Sequence, residues 1–126
     1  MYKKITKKDI NVFADISGDR NPVHLKEEFA DDTVFGNKIV HGIWTTSPTS
    51  DVIGEKFPGH GIIYLQQTSK FFRPIFPNQV VKTTLLVTSI DYKKRNVCIE
   101  CESSVGGQSV LGAIASVSAL SRKQIK

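Results

Sequence analysis

The chain has 126 residues and a mass of 14.0 kDa, which is room for one domain over residues 1–126 and too little for a second. An apolar fraction of 40% supports a buried core, and a formal charge of +5 suits a phosphate-bearing or otherwise anionic partner. No apolar run approaches the roughly 18 residues that span a bilayer, and Met1-Tyr2-Lys3-Lys4 leads into no apolar segment, so neither membrane span nor signal peptide is expected and the expected compartment is the cytoplasm.

In chain order, Thr6 followed by Asp9 marks a helix start. Ile10, Phe13 and Ala14 give that helix an apolar stripe, and Gly18 sits where a left-handed residue would end it. Leu25 to Asp31 predicts a short second helix with Leu25 and Phe29 on one side. Gly42 to about Ile53 predicts a third, interrupted by Pro48, which either kinks it or occupies a new first turn. Lys56 to Gly61 reads as a loop. Four strand-like runs follow, Ile62–Phe72, Val80–Ile90, Asn96–Val105 and Ser109–Leu120, with Gly106-Gly107 as a hairpin turn between the last two.

Val81, Leu85 and Val87 share one face of their strand, as do Leu111, Ala113, Ala115 and Val117 of theirs. Cys98 and Cys101 resemble a Cys-x-x-C pair. Residues three apart on a strand face opposite sides, so the sulfurs diverge and share neither a metal nor a bridge. Cys101 is then core and Cys98 nearer solvent. Lys93, Lys94 and Arg95 fall at a turn and read as a solvated loop; no nucleic-acid-binding motif is present, and no nucleic-acid partner is expected. Helices separated from a run of antiparallel strands make the fold class α+β.

The chemistry concentrates in Ser17-Gly18-Asp19-Arg20-Asn21-Pro22-Val23-His24, which puts a carboxylate and an imidazole on one loop. Asn21 before proline is biased toward extended backbone, and Pro22 fixes its own φ, so the loop can hold Asp19 and His24 in a defined relation. Such a pair moves protons at neutral pH. Spacing alone leaves a structural reading open, with the aspartate bonding turn amides and the histidine serving as cap or core. His41 reads as structural, and His60 as a loop residue between glycines.

These residues resemble the MaoC-type (R)-specific enoyl-CoA hydratases. The resemblance runs from Phe13 through Leu25, then through Phe29-Ala30, Phe35-Gly36 and Ile39-Val40-His41-Gly42, and on to Pro58–Leu65 and Phe71–Ile75. It implies a hot-dog fold, an antiparallel sheet wrapped around a central helix, in a homodimer. It further implies that Asp19 and His24 activate a water and that the backbone N–H of Gly42 receives the thioester oxygen. Ser50 and Asn21 match possible supporting positions. The polar run with Pro48 departs from the family's usual apolar central helix.

The resemblance implies reversible hydration of trans-2-enoyl-CoA to (R)-3-hydroxyacyl-CoA, without metal or redox cofactor, coenzyme A being the substrate carrier. Lys70, Arg73, Lys93, Lys94 and Arg95 are candidates for a rim that meets its phosphates. The alternatives are a 3-hydroxyacyl-ACP dehydratase, a hot-dog thioesterase and a non-catalytic acyl-CoA-binding module. Acyl-chain length is not legible from the sequence.

Overall fold

The computed structural model describes residues 1–119. Its backbone of strands is a five-stranded antiparallel sheet in the order β1-β3-β4-β5-β2. The strands are β1 (Tyr2–Lys4), β2 (Ile62–Phe71), β3 (Val80–Asp91), β4 (Asn96–Val105) and β5 (Gln108–Ala119). All neighbours pair antiparallel. Four of these match the expected runs to within two residues at each end; the expected Leu120 lies outside the described residues. The strand β1 was not anticipated. It holds too few residues to show a period of two, and its pairing of Tyr2 with Lys82 is a long-range contact.

The β4–β5 hairpin closes through Gly106 and Gly107 at φ 56° and 81°, the left-handed conformation that a two-residue turn needs at both centres. Cys101 is buried and Cys98 partly exposed, and both are free thiols on opposite faces.

Helix α1 (Lys7–Ser17) begins as its sequence dictates. The Thr6 side chain accepts from Asp9 N–H at 3.2 Å, and Asp9 Oδ2 accepts from Thr6 N–H at 2.9 Å, a reciprocal cap. Those bonds, chiefly the one to the Thr6 backbone, hold the Asp9 carboxyl below its ordinary range. The helix ends at Gly18, whose φ of 79° is left-handed and whose N–H reaches Ala14 O.

The second helix is two short ones, α2 (Pro22–Leu25) and α3 (Glu27–Asp31). Lys26, at φ −120° and ψ 115°, breaks the helical run between them. Phe29 is exposed, whereas Leu25 is partly buried. The third helix is also divided: a 3-10 turn (Ile43–Thr46), α4 (Ser47–Asp51) and a π turn (Val52–Lys56). Pro48 stands in the first turn of α4, where its missing N–H removes no ladder bond.

Val52 and Ile53 from this broken helix pack on Val97, Ile99, Cys101, Ala113, Ala115 and Val117 of β4 and β5. The sheet therefore wraps the central helix with the face predicted to be apolar. A second cluster joins Ile5, Ile10, Val40, Ile75, Val81, Val110 and Leu111 under the first helix. This α+β arrangement is the hot-dog fold.

Gly18→Ala forces a Cβ into left-handed backbone, and the expected outcome is a loss of about 1 kcal/mol. Urea unfolding checks it: the midpoint falls with an unchanged slope, and an unmoved midpoint contradicts the assignment of that cap.

Candidate active site

The turn after α1 is built by side chains bonding to nearby amides. Asp19 N–H donates to Ser17 Oγ at 3.1 Å, and Asp19 Oδ1 accepts from Asn21 N–H at 3.1 Å. Asn21 Oδ1 accepts from Val23 N–H at 3.2 Å and so caps α2. Pro22 stands in that helix's first turn. Asn21 thus shapes the loop, with its side-chain oxygen turned to the cap. Arg20 points away and pairs with Asp15.

Helix α2 carries His24 inward, leaving it 8% exposed while Asp19 is exposed. His24 Nδ1 lies 2.8 Å from the Ile39 carbonyl. A carbonyl only accepts, so Nδ1 carries the hydrogen and the neutral ring keeps its lone pair on Nε2. Burial pushes the His24 pKa below its ordinary 6.5, and the neighbouring His41 adds to that; the Ile39 carbonyl and the Asp19 charge act against it. The ring is therefore neutral at pH 7.

Asp19 and His24 meet as the sequence implies, and a third group joins them. One ligand-type atom each from Asp19, His24 and His41 lie within 4.8 Å of one another. His41 is buried, stacks on His24 with ring centroids 4.0 Å apart and an interplanar angle of 27°, and places Nε2 2.9 Å from the Asp19 carbonyl. Sequence spacing showed no metal-type cluster, because the fold, not the local run, brings His41 to this pair. One nitrogen of each ring already faces a main-chain carbonyl, which removes it from the donors a cation could use. The signal for His41 was the Val40-His41-Gly42 run itself, read there for its glycine.

Gly42 opens the 3-10 turn. Thr45 N–H is the first to bond back, to His41 O at 3.1 Å and Gly42 O at 3.0 Å, so the Gly42 N–H stands ahead of the ladder. Its φ of −53° is ordinary, and a Cβ there would meet Phe71 Cε1 at 3.8 Å. Backbone strain therefore does not demand this glycine. It lines a hollow of about 290 Å³ with Phe35, Ile39, Thr45, Phe71 and Arg73.

Ser50, the other position the resemblance offers as supporting, lies on the central helix. It is exposed on α4 and lies near the Tyr64 phenol, drawing its pKa down weakly, without a well-formed hydrogen bond between them. Of the candidate basic rim, Arg73 is among the residues lining the Gly42 hollow, and its Nη1 donates to Ser109 O at 2.6 Å. Lys70 lines a separate hollow on the outer face of the sheet, and Lys93 to Arg95 lie at the β3–β4 turn.

The profile of the family described as "MaoC like domain" matches residues 2–107. Over 117 residues, 93% of this chain, the sequence is 38% identical to a 3-hydroxybutyryl-CoA dehydratase of Methylorubrum extorquens, covering 74% of that protein. It is 36% identical over 117 residues to an (R)-specific enoyl-CoA hydratase of Rhodospirillum rubrum, covering 93% of this chain and 81% of the other. The fold superposes on an (R)-hydratase from A. caviae involved in PHA biosynthesis with a TM-score of 0.90 and 32% identity, covering 94% of this chain and 91% of that one. With the profile spanning the loop, both histidines and most of the sheet, the chain belongs to the MaoC-like domain family.

Proposed function

We propose that this protein hydrates trans-2-enoyl-CoA reversibly to (R)-3-hydroxyacyl-CoA. The observation that carries the reading is the convergence of the Asp19 carboxylate and the His24 imidazole, far apart in chemistry and five residues apart in sequence, within 4.8 Å. A water held between them donates one hydrogen to Asp19 and the other to the bare Nε2 of His24. As its oxygen bonds to Cβ, Asp19 takes a proton. Charge moves to the thioester oxygen as an enolate, which the Gly42 N–H receives. The pair then returns one proton to Cα, so H and OH are added and both side chains end as they began.

This addition is redox-neutral and its protons are handled by side chains, so we assign no cofactor and no metal. Coenzyme A is the carrier of the substrate. Its phosphates do not cross a bilayer, which makes the cytoplasm the proposed compartment; among the described residues no helix is long and apolar enough to cross a membrane.

Purified protein mixed with crotonyl-CoA and a chelator is expected to lose the conjugated-thioester absorbance. Asp19→Asn and His24→Gln are each expected to slow that loss about 10²–10⁴-fold. No loss by the wild type, or release of free thiol in its place, overturns the reading in favour of a binding module or a thioesterase. The matching acyl-carrier-protein thioester, run in parallel, is expected to react more slowly; a faster reaction makes the protein an ACP dehydratase.

His24 acts with an empty Nε2, so protonation of the ring removes activity. Because burial lowers its pKa, kcat/KM is expected to hold as pH falls through 6.5 and to decline only below it. An acid limb centred above 6.5 contradicts that role.

We further propose a homodimer. Strand β2 is an edge of the sheet, paired on one side only with β5, and it carries Ile63 at 48% and Leu65 at 55% exposure. An exposed edge of this length with apolar side chains is a template for another strand. Sedimentation equilibrium is expected to give twice the chain mass, with Leu65→Lys shifting the protein toward monomer; a monomeric wild type removes the proposal.

A further inference from the structure

His41 is 1% exposed, yet it is a polar ring that makes contacts to both members of the Asp19/His24 pair. Its Nε2 faces the Asp19 carbonyl at 2.9 Å. Since the carbonyl accepts, Nε2 carries the hydrogen, and the neutral ring keeps its lone pair on Nδ1. That Nδ1 is buried and finds no hydrogen-bond partner among the described residues. A buried polar atom left unpaired costs free energy, so apolar packing alone would not select histidine here. On one side the ring stacks on His24. On another it meets the Phe13 ring edge-on at 4.8 Å and 66°, and Phe13 rests on Trp44 at 4.9 Å. The next residue along the chain is Gly42.

We propose that His41 is the positioning residue of the site, holding Asp19 through its main-chain carbonyl and His24 through its ring, and so fixing both relative to the Gly42 turn. This inference rests on the hydration reading above. Each contact has a separate consequence. The Nε2–H bond sets where the turn carrying Asp19 stands, and a shift of about 1 Å in a reacting group can cost about 10²-fold in rate. The stack keeps water from one face of His24 and presents it with a second imidazole. Among the described residues, the titratable groups that bear on His24 are the Asp19 carboxylate and His41.

Two variants separate the contacts. His41→Phe keeps a ring against His24 and loses the donor; its kcat is expected to fall about 10²-fold with KM little changed. His41→Gln restores an N–H donor and loses the ring. It is expected to recover at least tenfold of that kcat while the acid limb of kcat/KM moves up toward 6.5. Circular dichroism at the assay temperature checks that each is folded. Ring ¹⁵N NMR of the wild type gives a reading independent of both variants and of turnover: His41 is expected as the Nε2–H tautomer, and the His24 titration is expected to move upward in His41→Gln. A hydratase in which both variants match the wild type in kcat and acid limb overturns the inference, as does an Nδ1–H tautomer at His41. A wild type that leaves crotonyl-CoA unchanged overturns the hydration reading instead, and the tautomer and titration results still decide whether His41 governs His24.

Discussion

His24 donates its Nδ1 hydrogen to the Ile39 carbonyl across 2.8 Å, and the rest of the site is arranged around that bond. Ile39 N–H returns a bond to Val23 O at 3.3 Å, and Val40 N–H continues to Ile75 O at 2.8 Å. These bonds clamp the segment from Ile39 to Gly42 between α2 and the chain near Ile75. The Ile39 bond also selects the tautomer, leaving Nε2 as the lone pair that meets the site. A histidine free to turn would present either nitrogen. Tethered this way, it presents one, and burial keeps that one empty at neutral pH. The same segment delivers the His41 ring and the Gly42 N–H, so geometry at three functional positions depends on four consecutive residues.

Other titratable groups of the interior are set aside from proton chemistry by their surroundings. Burial raises the Tyr64 phenol to about 12 and the Cys101 thiol to about 11. Both stay protonated at neutral pH, so neither supplies a thiolate or phenolate nucleophile. The oxygens and nitrogens of Thr49, Trp44 and Tyr64 that stand buried and unpartnered cluster along the broken central helix and the strand after it. A continuous helix through residues 43–56 would present one uniform face to the sheet. The 3-10, α and π pieces turn successive side chains differently, so Val52 and Ile53 meet the sheet while Gly42 opens toward the hollow beside Phe71.

Much of this was legible in the sequence because it is local. Thr6 and Asp9 are three residues apart and cap each other, Gly18 ends the helix it follows, and β5 buries the alternate residues that read as apolar. The Asp19–Asn21–His24 loop is likewise local, with proline and two side-chain caps fixing its shape. What the sequence hid depends on distant partners. Tyr2 to Lys4 becomes a strand only because Lys82 and its neighbours offer an edge. The division at Lys26 has no proline or glycine to announce it. The nearness of Ser50 to the Tyr64 phenol likewise joins two elements that no local pattern connects. His41 lies 22 residues from Asp19, and no periodicity connects them.

Two of the hollows among the described residues differ in the charges that line them. The larger, about 590 Å³, runs across the outer face of the sheet, lined by Lys70, Glu100, Glu102, Leu86, Phe72 and Ile114. Two carboxylates against one lysine repel a phosphate-bearing thioester. The smaller, at Gly42, has Arg73 and no carboxylate in its lining. Its wall includes Gly42, the residue that follows His41, so in the hydration proposed above a thioester seated there brings its oxygen to the amide at the head of the turn. In that proposal the Arg73 cation, the Gly42 N–H and the His24 imidazole act on one molecule. The sheet holds them in register without contributing a side chain to the Asp19/His24/His41 group.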